Sequence, residues 1–493
     1  MLKPCTRTLN WLETIFQLIY HGLVDLTQLT IRGIPKLPMH QANLPMSGFW
    51  HYLVAAYIGA LLIAGGISQP SNTMLILQAC VALVILAVAL YRLFQVGFPT
   101  RLARLGGLLA VAAIGLPLAQ LLPLPETLWH ALPYSDVISQ NSTLLGQTPA
   151  FVPLSLTPMA TKLAAIALLP ALAAYFAVLT LNVRSLSPAL WVVLGAAAIS
   201  IILALAQHSQ GPGSNFYLYD DGAGLGLGTF NNRNFFACQM AVTIAFVGLQ
   251  TTLLSGSSNY PPWLIAAFGL VSTIPLLAGL AIAGSRAGIV LGMLSVLIAV
   301  TLFFSSAKVQ VHKSSAITLA MTLLAFLIVG QSSMLGILRL ASSDPVSDFR
   351  RTIGENSWAI MERAMPFGTG FGSFVPIYKT QESAGQLMPE FVNHAHNDWL
   401  EIAIEGGAPA VALELAFLLL LTLAAIRIWR YGNGARTATA QRTAILILPL
   451  FLIHSFVDYP LRTPALATLF AFCCAIAVLP PSSPAGTRTN HRR

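Results

Sequence analysis

The chain has 493 residues, 56% of them hydrophobic and 9% charged, with a net charge of +9. Soluble domains carry about 25% charged residues, so this composition excludes a soluble globular protein and indicates an all-α, polytopic helical bundle in a membrane. Of the five cysteines, Cys80, Cys238, Cys473 and Cys474 fall in apolar runs and Cys5 lies near the N-terminus. They form no disulfide framework or metal pattern.

Residues 1–46 come first. Glu13, Gln17, His21 and Asp25 recur at i, i+4, with Trp11, Leu12, Ile15, Phe16, Ile19 and Leu23 elsewhere around the wheel. The segment reads either as a helix lying in the inner membrane interface or as a partly ordered tail. It is not a cleavable signal, because the apolar stretch is interrupted by charge and no small-residue cleavage site follows. Apolar runs then recur to the end of the chain, and a span needs about 20 residues. Twelve transmembrane helices are expected, at 49–67, 73–91, 104–122, 160–181, 189–206, 235–254, 262–283, 287–304, 316–333, 407–426, 443–458 and 464–480. The resulting organisation is an N-terminal segment (1–46), spans one to nine (47–333), a large loop (334–406), spans ten to twelve (407–480) and a tail (481–493).

Charge sets the orientation. Of the 26 Lys and Arg residues, 17 fall in the N-terminal segment, alternate loops and tail that would share one side. Short inner loops of membrane proteins are basic, so both termini are expected in the cytoplasm and loop 334–406 outside. The basic excess is thus a topology signal, and no nucleic-acid partner is expected. The outer positives cluster near the groups that carry chemistry. Another outer loop, 123–159, has few ionisable groups and reads as a lid or packing surface.

Polar groups are expensive near a bilayer and mark functional sites there. Arg233 lies in GTFNNRNFFA (228–237), as span six begins, and Arg286 lies in AGSRAG (283–288), the tight turn between spans seven and eight. A guanidinium forks two donors toward phosphate oxygens, and the small residues around Arg286 leave room for a large head group. The plainer role for either arginine is to snorkel to lipid phosphates. Arg351 precedes PFGTGFGSF (366–374) by fifteen positions, and the glycines there read as a tight turn around a head group or under the next helix. NHAHNDWLEIAIEGG (393–407) then places His394, His396 and Glu401 at a helix mouth, with Asn397 or Asp398 as the N-cap. Imidazole titrates near neutral pH, so one histidine suits a general base. The HxH spacing with two carboxylates also permits a metal, but no third His or Cys ligand is evident, so none is expected. GAGLGLG (222–228) mimics a dinucleotide fingerprint without the preceding strand or βαβ unit, and no GxxxxGK[ST] motif is present.

Together with HSFVDYPLRTPA (454–465), these motifs resemble the O-antigen ligase and polymerase superfamily of bacterial envelope polysaccharide enzymes, over about residues 190–480. In its ligases a His followed by Asn, Ser or Gln, then nine residues and Gly-x-x-(Gly, Thr or Tyr), marks the catalytic loop. His396, Asn397 and Gly407 match that spacing, whereas position 410 is Ala, a departure from the strict lipopolysaccharide ligase pattern. The resemblance implies a glycosyltransferase of the bacterial inner membrane. It would carry out metal-independent, inverting glycan transfer from undecaprenyl diphosphate on the periplasmic face, with no cofactor. His396 would be the base, with Arg286 and Arg233 on the diphosphate, and His394, Asn397, Glu401 and Arg351 in support. The acceptor would be lipid A-core sugar (a ligase), another lipid-linked repeat (a polymerase for O-antigen or exopolysaccharide) or a pilin serine. A transporter of a polar solute would instead show internal repeats and mid-membrane charge, and neither is evident.

Overall fold

The computed structural model describes residues 47–146, 148–219, 227–255, 260–306, 345–382, 392–431 and 436–480. The chain divides into two units at Ser47, and the elements below belong to the second, Gly48–Arg493, apart from the first residue of α1. The expected interfacial segment (1–46), most of the GAGLGLG run, the ninth span (316–333) and the C-terminal tail lie outside the described residues.

The helices are α1 (Ser47–Ala64), α2 (Asn72–Val96), α3 (Arg101–Ala119), α4 (Glu126–Trp129), α5 (Ser135–Leu145), α6 (Pro158–Ala167), α7 (Leu169–Leu179), α8 (Ser187–Gln210), α9 (Arg233–Ser255), α10 (Pro262–Ala283), α11 (Arg286–Ser306), α12 (Pro345–Ala364), α13 (Phe374–Lys379), α14 (Asp398–Tyr431), α15 (Arg436–His454) and α16 (Pro464–Val478). Two short strands, β1 (Pro123–Pro125) and β2 (Phe151–Pro153), pair antiparallel. Among the described residues, eight helical stretches are long and apolar enough to cross a membrane, and α1, α11 and α16 contain three shorter apolar ones. These coincide with eleven of the twelve expected spans, so the chain is an all-α polytopic membrane protein.

Local chemistry explains the helix ends. Ser71, Thr100 and Thr463 cap α2, α3 and α16, each hydroxyl accepting from a first-turn amide. The expected fourth span is divided at Leu168, between α6 and α7. Pro170 brings no N–H and crowds the carbonyl four residues back, which accounts for the break.

Helix α9 is the central post of the bundle, with every residue from Asn234 to Thr251 buried. It lies close to α11 because small residues meet at both ends of the contact. A Cβ at Gly248 would fall 2.5 Å from Ala299 Cα, and one at Gly288 would fall 2.3 Å from Ala237 Cβ. Small residues let helices approach closely where lipid offers no hydrophobic drive. Separate from this core is a second apolar cluster built on α12, α13 and the start of α14, including Ile353, Ile360, Ala364, Phe374, Tyr378, Ala395 and Ile404. Helix α12 buries Ile353, Ser357, Ile360 and Ala364 on one stripe and exposes Arg351, Glu355, Trp358 and Glu362 on the other.

Helix α14 begins at Asp398, nine residues before the span expected at 407, and is broken at Gly407 (φ 62°, ψ −157°). The break thus falls at the expected start of the span. The nine residues before it, 398–406, form a separate mouth helix of about two and a half turns.

Candidate functional site

The HAHND stretch is shaped by its helix cap. Asn397 Oδ1 accepts from Leu400 N at 3.1 Å, so Asn397 is the N-cap and Asp398 is released for other contacts. The residue before the cap, His396, adopts a left-handed backbone with φ 50°, which His tolerates better than most residues. Its Nδ1 lies 3.3 Å from Asp458 Oδ1, in the loop between α15 and α16. The imidazole keeps 22% of its surface exposed, whereas the Asp458 side chain keeps 1%.

Asp458 is anchored on all sides. Asn234 Nδ2 donates to its Oδ2 and Tyr459 N donates to its Oδ1 at 3.0 Å. Burial alone would raise its pKa, but the hydrogen bond and charge of His396 and the nearby His454 and Arg350 overturn that and hold the carboxyl at about 2. A carboxylate on Nδ1 selects the tautomer that leaves Nε2 as a proton acceptor. Asn234 in turn accepts from the Ser285 hydroxyl at 2.7 Å, and Ser285 Oγ accepts from Gly288 N at 3.0 Å. One chain of hydrogen bonds therefore joins GSRAG, NNRNFFA, HSFVDYP and HAHND, four motifs spread over more than two hundred positions.

Beside this chain is a cleft of about 400 Å³ lined by Arg286, Arg350, Arg351, Ala395, His396, Asn397, Phe456 and Val457. Arg286 opens α11 and Asn397 caps α14, so two helix N-termini face the cleft. Such ends carry a partial positive charge and free amides that suit an anion. Phe456 and Val457 add exposed apolar surface on its rim. Arg233 is exposed at the first residue of α9, next to Asn234, and is not among the lining residues. Arg351 makes an exposed i,i+4 pair with Glu355 at 2.9 Å, a contact of little energetic weight. Gly288 is required by the Ala237 contact, whereas a Cβ at Gly284 would meet nothing within 4 Å.

His394 belongs to a different assembly. Its Nδ1 is 2.8 Å from Glu401 Oε1, and Glu401 Oε2 accepts from Ala395 N at 2.8 Å. Asp398, Glu401 and Glu405 lie on one face of the mouth helix, and Arg462 reaches all three. Its Nε is 3.5 Å from Asp398 Oδ1, Nη2 is 3.3 Å from Glu401 Oε1, and Nη1 is 3.2 Å from Glu405 Oε2. Burial alone would lower the pKa of Arg462, and the three carboxylates reverse this and raise it. Glu405 Oε1 also accepts from Gly372 N at 2.8 Å, while Gly370 N donates to Glu405 O and Ala408 N to Pro366 O. The PFGTGFGSF loop, with Gly368, Gly370 and Gly372 at positive φ, therefore sits under the mouth helix. Of the two readings offered for its glycines, the structural one matches these bonds. Segment 123–159 packs against the same loop through Leu156 N to Thr369 O.

The two histidines of HxH thus face different carboxylates, and among the described residues no group of three His, Cys, Asp or Glu is arranged to hold a metal. Asp458, Arg462 and Arg350 were given no role from sequence. Asp458 did carry a signal, being the only acidic residue after Glu414.

Residues 271–415 match the family model Wzy_C, described as O-antigen ligase. The matched stretch contains GSRAG, PFGTGFGSF and HAHND and ends before Asp458 and Arg462. No curated protein matches the chain.

Proposed function

We propose that this chain, a member of the O-antigen ligase superfamily through residues 271–415, transfers a glycan from undecaprenyl diphosphate to an acceptor hydroxyl on the periplasmic face of the bacterial inner membrane. One observation carries the reading: His396, backed by Asp458, opens onto the same cleft as three arginines.

In this scheme the acceptor oxygen attacks the anomeric carbon as its proton passes to His396 Nε2. The bond between that carbon and the diphosphate oxygen breaks, and its electron pair leaves on undecaprenyl diphosphate. Direct displacement inverts the anomeric configuration. Arg286, Arg350 and Arg351 neutralise the charge that grows on the leaving group, helped by the N-termini of α11 and α14, an electrostatic contribution that is usually the largest in such a reaction. Arg233 stands one residue from Asn234 and is assigned to the same diphosphate from the outer side. The exposed side chains of Phe456 and Val457 suit the first isoprene units of the lipid. Asn397 shapes the helix start, and Glu401 with His394 holds the loop in place. The polyprenyl diphosphate is itself the activated donor, so the scheme uses no nucleotide, metal or cofactor.

The test is transfer by purified protein from native lipid-linked glycan, in the presence of a chelator. Undecaprenyl diphosphate should be released in step with the new glycosidic bond. Silencing by the chelator alone would replace the histidine base with a metal mechanism. Glycans of a deletion strain then separate the two acceptors. Long chains lost from lipid A but kept on undecaprenyl lipid identify a ligase, and single repeats identify a polymerase.

A further inference from the structure

The cleft leaves unexplained a second hollow of about 320 Å³ in segment 123–159, bordered chiefly by Glu126, Trp129, His130, Ser139, Ser142 and Thr143. The Trp129 side chain is fully buried, yet its indole N–H has no hydrogen-bond partner among the described residues. A buried donor without an acceptor is costly, and an acceptor on a ligand would remove that cost. The exposed His130 ring stacks on Trp129, with centroids 3.9 Å apart and planes 27° apart, so His130 presents a flat face backed by the buried indole.

The remaining polar groups are mostly acceptors. Ser139, Ser142 and Thr143 each donate their hydroxyl proton back along α5, to Ser135 O, Ile138 O and Ser139 O, at 2.9, 2.8 and 2.9 Å. Their oxygens keep lone pairs for a ligand. Glu126, 3.5 Å from His130 Nε2, adds a carboxylate, and the lining contains no Lys or Arg. The complementary ligand is uncharged, rich in hydroxyl donors and flat on one face. That is a sugar ring.

The hollow is also fastened to the reaction site. Asp136 pairs with Arg363 at 2.7 Å, and the Arg363 guanidinium lies 4.2 Å from the centroid of the Tyr134 ring. Tyr134 is buried in the cluster that also contains Ala395. On α12, Arg363 follows the cleft residue Arg350 by thirteen positions, about 20 Å at 1.5 Å per residue. That stretch of α12 is of the length a short oligosaccharide spans.

We propose that this hollow is a saccharide subsite that grips the glycan a few sugars away from the reacting bond. The proposal rests on the glycan-transfer reading for its choice of ligand, and on the hollow itself for its location. The probe is the water-soluble oligosaccharide released by mild acid from the producing cell's own lipid-linked glycan. It is titrated calorimetrically into the full-length protein in lipid nanodiscs.

Trp129→Phe removes the indole N–H and keeps a ring, and Glu126→Gln alters an exposed carboxylate that the fold does not need. Each should weaken binding roughly five- to tenfold, while Arg286→Ala, in the cleft, should leave it within about twofold of wild type. Unchanged binding in both hollow variants, or no binding by wild type at millimolar oligosaccharide, overturns the subsite. If wild type transfers glycan and both hollow variants bind the oligosaccharide like wild type, the subsite alone falls. If wild type binds oligosaccharide through Glu126 and transfers none, the subsite stands and the transfer reading falls.

Discussion

Two neighbouring regions handle positive charge in opposite ways. Arg462 is enclosed by Asp398, Glu401 and Glu405, so its charge is spent on protein partners. A few residues away, the cleft gathers Arg286, Arg350, Arg351 and His396, where the cations outnumber the carboxylates that touch them, Glu355 on Arg351 and Asp458 on His396. Charge enclosed by opposite charge inside a protein holds shape, and breaking one partner of such a set is costly. Surplus charge gathered in a cleft is a functional signal, because it becomes worthwhile only when an anion arrives. Two histidines separated by a single residue fall on either side of this divide: His394 bonds to the enclosed set, and His396 opens on the cleft.

The largest effect should come from the open side. His396→Ala should lower transfer by on the order of 10²–10⁴-fold, the range for loss of a general base, with thermal unfolding unchanged. His394→Ala should be milder in rate. The reverse ranking, measured as initial rates at equal protein level, would exchange the roles of the two sets. Next comes the enclosed side. Arg462→Met leaves three carboxylates without their cation and should destabilise the protein by about 3–5 kcal/mol, read as denaturant or thermal unfolding in detergent. A variant that unfolds like wild type would mean that Arg462 is not part of the scaffold. The smallest effect should be Arg286→Lys, which keeps the charge and loses the planar fork. Transfer should fall roughly ten- to a hundredfold. Near-normal transfer would show that a point charge suffices and that the arginine anchors its helix to lipid head groups.

Much of this was legible in sequence, for physical reasons. Apolar runs of spanning length are local signals, so eleven spans fell where expected. The break at Leu168 was missed because Pro170 lies within an otherwise uninterrupted apolar run. His394, His396, Asn397 and Glu401 stood out because one short stretch carried them all. Asp458 and Arg462 act on partners about sixty residues away, and periodicity cannot report such pairing. Asp458 was nonetheless the one acidic residue in the last spans, and an isolated charge there is a strong prompt to look for a partner. Arg350 was hidden by its neighbour Arg351, since sequence cannot say which of two adjacent arginines turns inward.

The joint at Gly407 has a mechanical consequence. Ala408 N is bonded to Pro366 O, and a Cβ at Gly407 would strike that same oxygen at 2.4 Å. Segments 398–406 and 408–431 are therefore hinged on a protein loop, not continued as one rod. Bilayers of different thickness change the tilt of a spanning helix. Here such tilting turns about Gly407, and the turn bearing His396 takes its position from Glu401, Arg462 and the loop beneath it. In the proposed scheme, the alignment of His396 with the arginines would then be set by protein contacts and not by the thickness of the surrounding lipid.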